Sequence, residues 1–148
     1  MELKGELELK RNINYVKEFL LDPKKFTECL PGLQNYEVEG NNFKAIFKLD
    51  VSQLRIPHIS TLTANINAVI MDEGNKIEVV GNGRSAGIGI KISILMELIE
   101  AGVTVKLSWK AKIDLGMLMR LIGEESVRKI ADVNVNYIIN CISTKMGN

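Results

Sequence analysis

Few side chains in this sequence are of a type that does chemistry, and their spacing narrows the choice further. His58 is the only histidine in 148 residues. It follows Pro57 in an otherwise apolar loop, and imidazole is the side chain whose ordinary titration falls near neutral pH. It is the one candidate acid or base at a cavity mouth, yet the loop holds no Asp or Glu to orient it. A solvated loop residue, or a polar contact to a ligand head group, is the simpler role. Glu124 and Glu125 are paired carboxylates, but they open a helix, where negative charge favours the dipole. Cys29 and Cys141 lie far apart and in no metal-ligand spacing. They read as two reduced cysteines packed as small apolar groups. No nucleophile elbow, His-Glu-x-x-His or Cys-x-x-Cys occurs. No catalytic residue, metal ligand or cofactor is assigned.

Gly81-x-Gly83 is not a dinucleotide fingerprint. That motif needs a helix to follow at once, to aim its N-terminus at a pyrophosphate. Here a strand from Lys76 to Val80 precedes the glycines and a strand pattern follows, so the glycines, with Gly87 and Gly89, let the sheet bend and turn. Asn134 is the remaining polar residue of interest, because it falls in an apolar helix stripe. Left unsatisfied there it would cost about 1–3 kcal/mol. Either a backbone group or Trp109 satisfies it, or it faces a cavity and hydrogen-bonds a ligand carbonyl. Trp109 lies on the inward phase of its strand, and its indole N–H needs a partner if buried.

The element that positions Asn134 is the last helix, read from Glu124 to Met146. Val127, Ile130, Ala131, Val135, Ile138, Cys141 and Ile142 share one face at a 3.6-residue period. Glu125, Lys129, Asp132, Asn136, Asn140 and Ser143 share the other. Gly123 interrupts the pattern just after Leu118, Met119, Leu121 and Ile122.

The rest of the chain alternates with period two. Leu3, Leu7 and Leu9 make a half-buried first strand. Asn12 or Asn14 caps a short helix that Asp22-Pro23 ends, and a second short turn stops at Pro31-Gly32. About six hairpin-linked strands follow between Tyr36 and Ile113, broken by an apolar loop from Ser52 to Ser60. Consecutive antiparallel strands form a meander, and a sheet with one apolar face must cover it. Only the last helix is long enough. The sheet therefore curls around it, with small inner residues (Ala45, Ala64, Ala68, Gly81) leaving room behind.

Bulk properties fit one domain over residues 1–148. The formal net charge of +1 gives no basic footprint for nucleic acid. The first ten residues alternate charge and leucine, unlike a signal peptide. No run of about 18 uncharged apolar residues offers a transmembrane span. The chain reads as cytoplasmic, with any membrane contact peripheral and at the inner face.

This order of elements resembles the START-like (SRPBCC, helix-grip, birch-pollen-allergen-like) superfamily, and within it the carbon monoxide dehydrogenase G-subunit family. The resemblance rests on Leu3-x-Gly5, Phe19-Leu20-x-Asp22-Pro23, Cys29-Leu30-Pro31-Gly32-Leu33, Gly81-x-Gly83-x-x-x-Gly87 and Arg128-Lys129-x-Ala131-Asp132. It spans essentially the whole chain. The Ser52–Ser60 loop departs from it, being longer and more apolar than the family's short connection. The resemblance implies an α+β helix-grip fold: about seven curved antiparallel strands around a long C-terminal helix, with two short helices between strands 1 and 2. It also implies an internal cavity for an apolar small molecule, of the lipid or isoprenoid quinone class. In family terms it implies an accessory role in maturation or membrane docking of a carbon monoxide dehydrogenase-type molybdoenzyme.

The candidate lining is Phe47, Leu62, Ile66, Ile90, Trp109, Asn134 and Ile138. The candidate gate is Leu54, Ile56, His58, Ile59, Leu118, Met119, Leu121, Ile122 and Gly123. Either these apolar residues plug the core end, or they move about Gly123 as a hinge; in the latter case Gly123→Ala alters ligand uptake with thermal stability nearly unchanged. A non-enzymatic binding module is the first reading. An enzyme of cyclase or hydrolase type on an apolar substrate, with His58 as the sole titrating group, and a pure protein-interaction module are the alternatives.

Overall fold

The computed structural model describes residues 1–147. Seven strands form one antiparallel sheet in the order β1-β7-β6-β5-β4-β3-β2. They are β1 (Glu2–Leu9), β2 (Leu33–Glu39), β3 (Asn42–Asp50), β4 (Thr61–Asp72), β5 (Lys76–Ser85), β6 (Ile88–Ala101) and β7 (Thr104–Asp114). Strands β2 to β7 are the expected meander, each paired with the next in sequence. Strand β1 returns to pair with β7, Leu3 opposite Ala111 and Leu9 opposite Val105.

Two short helices, α1 (Ile13–Leu21) and α2 (Pro23–Thr27), fill the connection between β1 and β2. Asn12 is the cap of α1: its side chain accepts from the Tyr15 N–H at 2.9 Å, satisfying a donor that the first turn leaves open. Asp22 ends α1 in an extended conformation and caps α2 by accepting from Lys24 N. Pro23 then opens α2 where its missing N–H is harmless.

The last two helices are α3 (Leu118–Ile122) and α4 (Glu124–Lys145). Leu118 to Ile122 is thus a separate single-turn element. Gly123 stands between the two with φ 97° and ψ 143°, a conformation that costs any residue with a Cβ dearly.

The main core packs α1, α2 and the C-terminal end of α4 against the inner sheet face. Leu9, Val16, Leu20, Ile77 and Met146 are fully buried there. A smaller cluster of Val51, Leu62 and Leu118 closes the other end, with Leu54, Ile59, Ile122 and Ile130 packed on it.

Two expectations are corrected and one is refined. Strand β5 does not stop at Val80; it runs through Gly81 and Gly83 to Ser85. Gly83 permits this by close approach, since a Cβ there would overlap the Asn65 carbonyl oxygen of β4. The Ser52–Ser60 loop contains a one-turn 3-10 helix, Ser52–Leu54. The cysteines are not reduced: Cys29 and Cys141 form a disulfide with Cα atoms 5.5 Å apart. The fold lays the end of α2 against the C-terminal turns of α4, and sequence separation carries no trace of that proximity.

Candidate functional site: a cavity beneath the last helix

Helix α4 is 22 residues long, about 33 Å at 1.5 Å per residue. It is seated at its two ends. Val127 near the N-terminus is 2% exposed, and Ile142 near the C-terminus is 4% exposed. Between them Ile130, Ala131, Asn134, Val135 and Ile138 are only half-buried, because they face a cavity.

The cavity has a volume of about 180 Å³. Small inner residues make the room: Ala64, Ala68 and Gly81 line it, while Ala45 is buried outside it. Its walls are the inner faces of β3 to β7, the middle of α4, and Leu115, Leu118 and Ile122 at one end. Of the residues lining it, Ser85 and Asn134 alone carry polar side chains, and no side chain there is ionisable. Such a wall favours apolar surface over water, which needs two to four polar partners to stay.

Asn134 is satisfied by backbone. Its Nδ2 donates to the Ile130 carbonyl at 2.7 Å, one turn back in the helix. Trp109 is not its partner, and Trp109 does not line the cavity. The indole instead covers Gly5 on β1, where an added Cβ would lie 2.7 Å from Trp109 Cζ2. Trp109 Nε1 is buried without a hydrogen-bond partner among the described residues.

The structure thus gathers six of the seven predicted lining residues, Phe47, Leu62, Ile66, Ile90, Asn134 and Ile138. The predicted gate is divided. Leu118 and Ile122 line the cavity, and Leu54 and Ile59 pack behind them. Ile56 and Met119 are half-buried, while His58 and Leu121 are exposed, Leu121 by 69%. His58 sits with φ 64° and does not line the cavity. Among the described residues the carboxylates with shifted titration are Glu28, Asp50, Asp72 and Glu73, all surface groups outside the cavity.

Sequence reasoning missed Ser85, which is 5% exposed and lines the cavity. The signal was present. Continuing the alternation Ile77, Val79, Gly81, Gly83 by one more step turns Ser85 inward. The glycine run masked it by reading as the end of the strand.

The sequence matches no curated protein. Among solved structures, a conserved protein from Geobacillus kaustophilus superposes with a TM-score of 0.82 at 15% identity, covering 99% of this chain and 95% of that one. A START superfamily protein from Mycobacterium smegmatis gives a TM-score of 0.71 at 8% identity, with 98% and 96% covered. The Zhui aromatase/cyclase from Streptomyces sp. R1128 gives 0.68 at 11% identity, with 99% and 93% covered. At these identities the likeness establishes the START-like helix-grip fold. The family model for the carbon monoxide dehydrogenase G subunit (CoxG) matches residues 5–147. A long helix over a seven-stranded antiparallel sheet, together with that match, makes this chain a member of the carbon monoxide dehydrogenase CoxG family.

Proposed function

We propose that this protein binds a hydrophobic small molecule, of the lipid or isoprenoid quinone class, beneath α4 and performs no reaction on it. The observation that carries the reading is the cavity wall, with two polar side chains and no ionisable one. The volume adds a constraint. An apolar cavity of about 150 Å³ holds a benzene-sized guest. At about 180 Å³ this one takes a ring or a short stretch of chain. A longer tail must pass the cluster of Leu118, Ile122, Leu54 and Ile59, so these residues act as a gate that swings about Gly123. Exposed Met117 and Leu121 beside it suit contact with a membrane or partner surface.

Family membership supports an accessory role beside a carbon monoxide dehydrogenase-type complex, in maturation or membrane docking. No helix among the described residues is long and apolar enough to cross a membrane, so we place the contact peripherally, at the cytoplasmic face. The disulfide weighs against a strongly reducing cytosol, and the thiol content of the protein as isolated tests that placement.

Native mass spectrometry and organic extraction of the purified protein should recover a lipid-like molecule. Ala131→Phe, which fills the space under α4, should abolish recovery. An interior from which nothing is extracted, and which takes up no apolar probe, rejects the reading. The gate is tested separately by amide exchange: ligand should slow exchange over Leu118–Ile122, and unchanged exchange there sinks the gate.

A second reading is an enzyme on an apolar substrate. The structural similarity to an aromatase/cyclase favours it. It needs a titrating group at the substrate, and His58 is exposed and outside the lining.

A further inference from the structure

We propose that Ser85 is the hydrogen-bonding anchor of the cavity, and that it selects a neutral apolar molecule carrying a hydroxyl or carbonyl group. This rests on the reading that the cavity binds a hydrophobic ligand, and it specifies the ligand's polar end.

Among the described residues two polar ones are buried, Thr27 and Ser85. They are treated differently. The Thr27 hydroxyl donates to the Pro23 carbonyl within α2. The Ser85 hydroxyl makes no hydrogen bond to protein among the described residues, although the side chain is 95% buried and lines the cavity. Unlike Trp109 Nε1, the Ser85 oxygen is not sealed off, so a hydrogen-bond partner can reach it from the cavity. The group is explained if its partner arrives with the ligand.

Asn134, the other polar residue of the lining, belongs to α4 and faces the sheet wall that carries Ser85. One Nδ2 hydrogen is committed to the Ile130 carbonyl. A serine hydroxyl can donate to a carbonyl, or both donate to and accept from an alcohol. No Lys, Arg or His lines the cavity. An ionised carboxylate would therefore lose its hydration with no cation to replace it. A pure hydrocarbon would leave Ser85 unpaired. The chemistry of the wall favours a neutral oxygen-bearing head on an apolar body, and disfavours both a fatty-acid anion and an alkane.

The test uses three probes of similar shape, naphthalene, 2-naphthol and 2-naphthoate, titrated calorimetrically at neutral pH into delipidated protein and into Ser85→Ala. The wild type should bind 2-naphthol at least as tightly as naphthalene, and 2-naphthoate most weakly. Ser85→Ala should weaken 2-naphthol roughly tenfold and leave naphthalene within about twofold. Equal effects of Ser85→Ala on both neutral probes, or none on either, overturn the anchor while leaving the hydrophobic cavity intact. Tightest binding of 2-naphthoate overturns the selection for a neutral head. Failure of all three probes to bind overturns the cavity reading itself, and the anchor with it.

Discussion

Cys29, just beyond α2, is joined to Cys141, near the end of α4, across 112 residues of chain. The bond fixes the C-terminal end of the helix that roofs the cavity. It does not stand alone: Lys145 pairs with Glu28 at 2.8 Å, Arg11 Nε donates to the Met146 carbonyl at 2.7 Å, and Met146 is fully buried. The N-terminal end of α4 is seated by Val127 and by the small cluster around Leu118. The roof is therefore anchored firmly at one end and lightly at the other.

Replacing the pair, Cys29→Ser with Cys141→Ser, should lower unfolding free energy by about 2–4 kcal/mol, since the bond closes a long loop in the unfolded chain. Urea unfolding of wild type and double variant measures this. Thiol titration of the denatured, unreduced wild type should find no free cysteine. Two titratable thiols would contradict the bond.

Glycine substitutions in the β5–β6 region should separate by close approach. Gly83→Ala drives a methyl into the Asn65 carbonyl of β4 and should cost several kcal/mol or prevent folding, because backbone cannot move aside as a side chain can. Gly89→Ala meets nothing within 4 Å and should change stability by less than about 0.5 kcal/mol. Thermal unfolding of the two variants checks the contrast; similar melting temperatures would contradict the β4–β5 packing.

Gly123→Ala is not the stability-neutral probe of gating that the sequence alone suggests. A Cβ at Gly123 has open space, but φ 97° and ψ 143° lie where residues with a Cβ are strained. The expected cost is about 1–3 kcal/mol, read by chemical denaturation. A variant as stable as wild type would show that the α3–α4 junction adopts another conformation.

The Glu28–Lys145 tie should appear in the acid limb of stability. The Lys145 ammonium, mainly through its hydrogen bond, holds the Glu28 carboxyl below its ordinary value of 4.5. A depressed folded-state pKa means that the contribution is present above 4.5 and is lost as pH falls through the lower folded value. The pair is solvent-exposed, so the effect is small, within about 1 kcal/mol. Glu28→Gln should remove it at neutral pH and leave stability near wild type at acid pH. Equal stability of the two proteins at neutral pH would show that the tie contributes nothing.

Local patterning is enough to write down the architecture. Period-two alternation, turn residues and one amphipathic helix of period 3.6 are local signals, and each forces its element whatever lies elsewhere. They also set most of the cavity wall, because residues on the inward phase of a strand or helix face one another once the layers close. Phe47, Leu62, Ile66, Ile90, Asn134 and Ile138 follow from that phase alone. Trp109 shares the phase and still misses the cavity, because β7 pairs with β1 and the indole spreads over Gly5. Such lateral matters are set only when the layers close on one another. That closure carried β5 past its glycines and turned Ser85 inward, and it brought Cys29 to Cys141. It also held the middle of α4 above open space while seating both ends. These depend on distances between residues remote in sequence, and no local pattern encodes a distance across the fold.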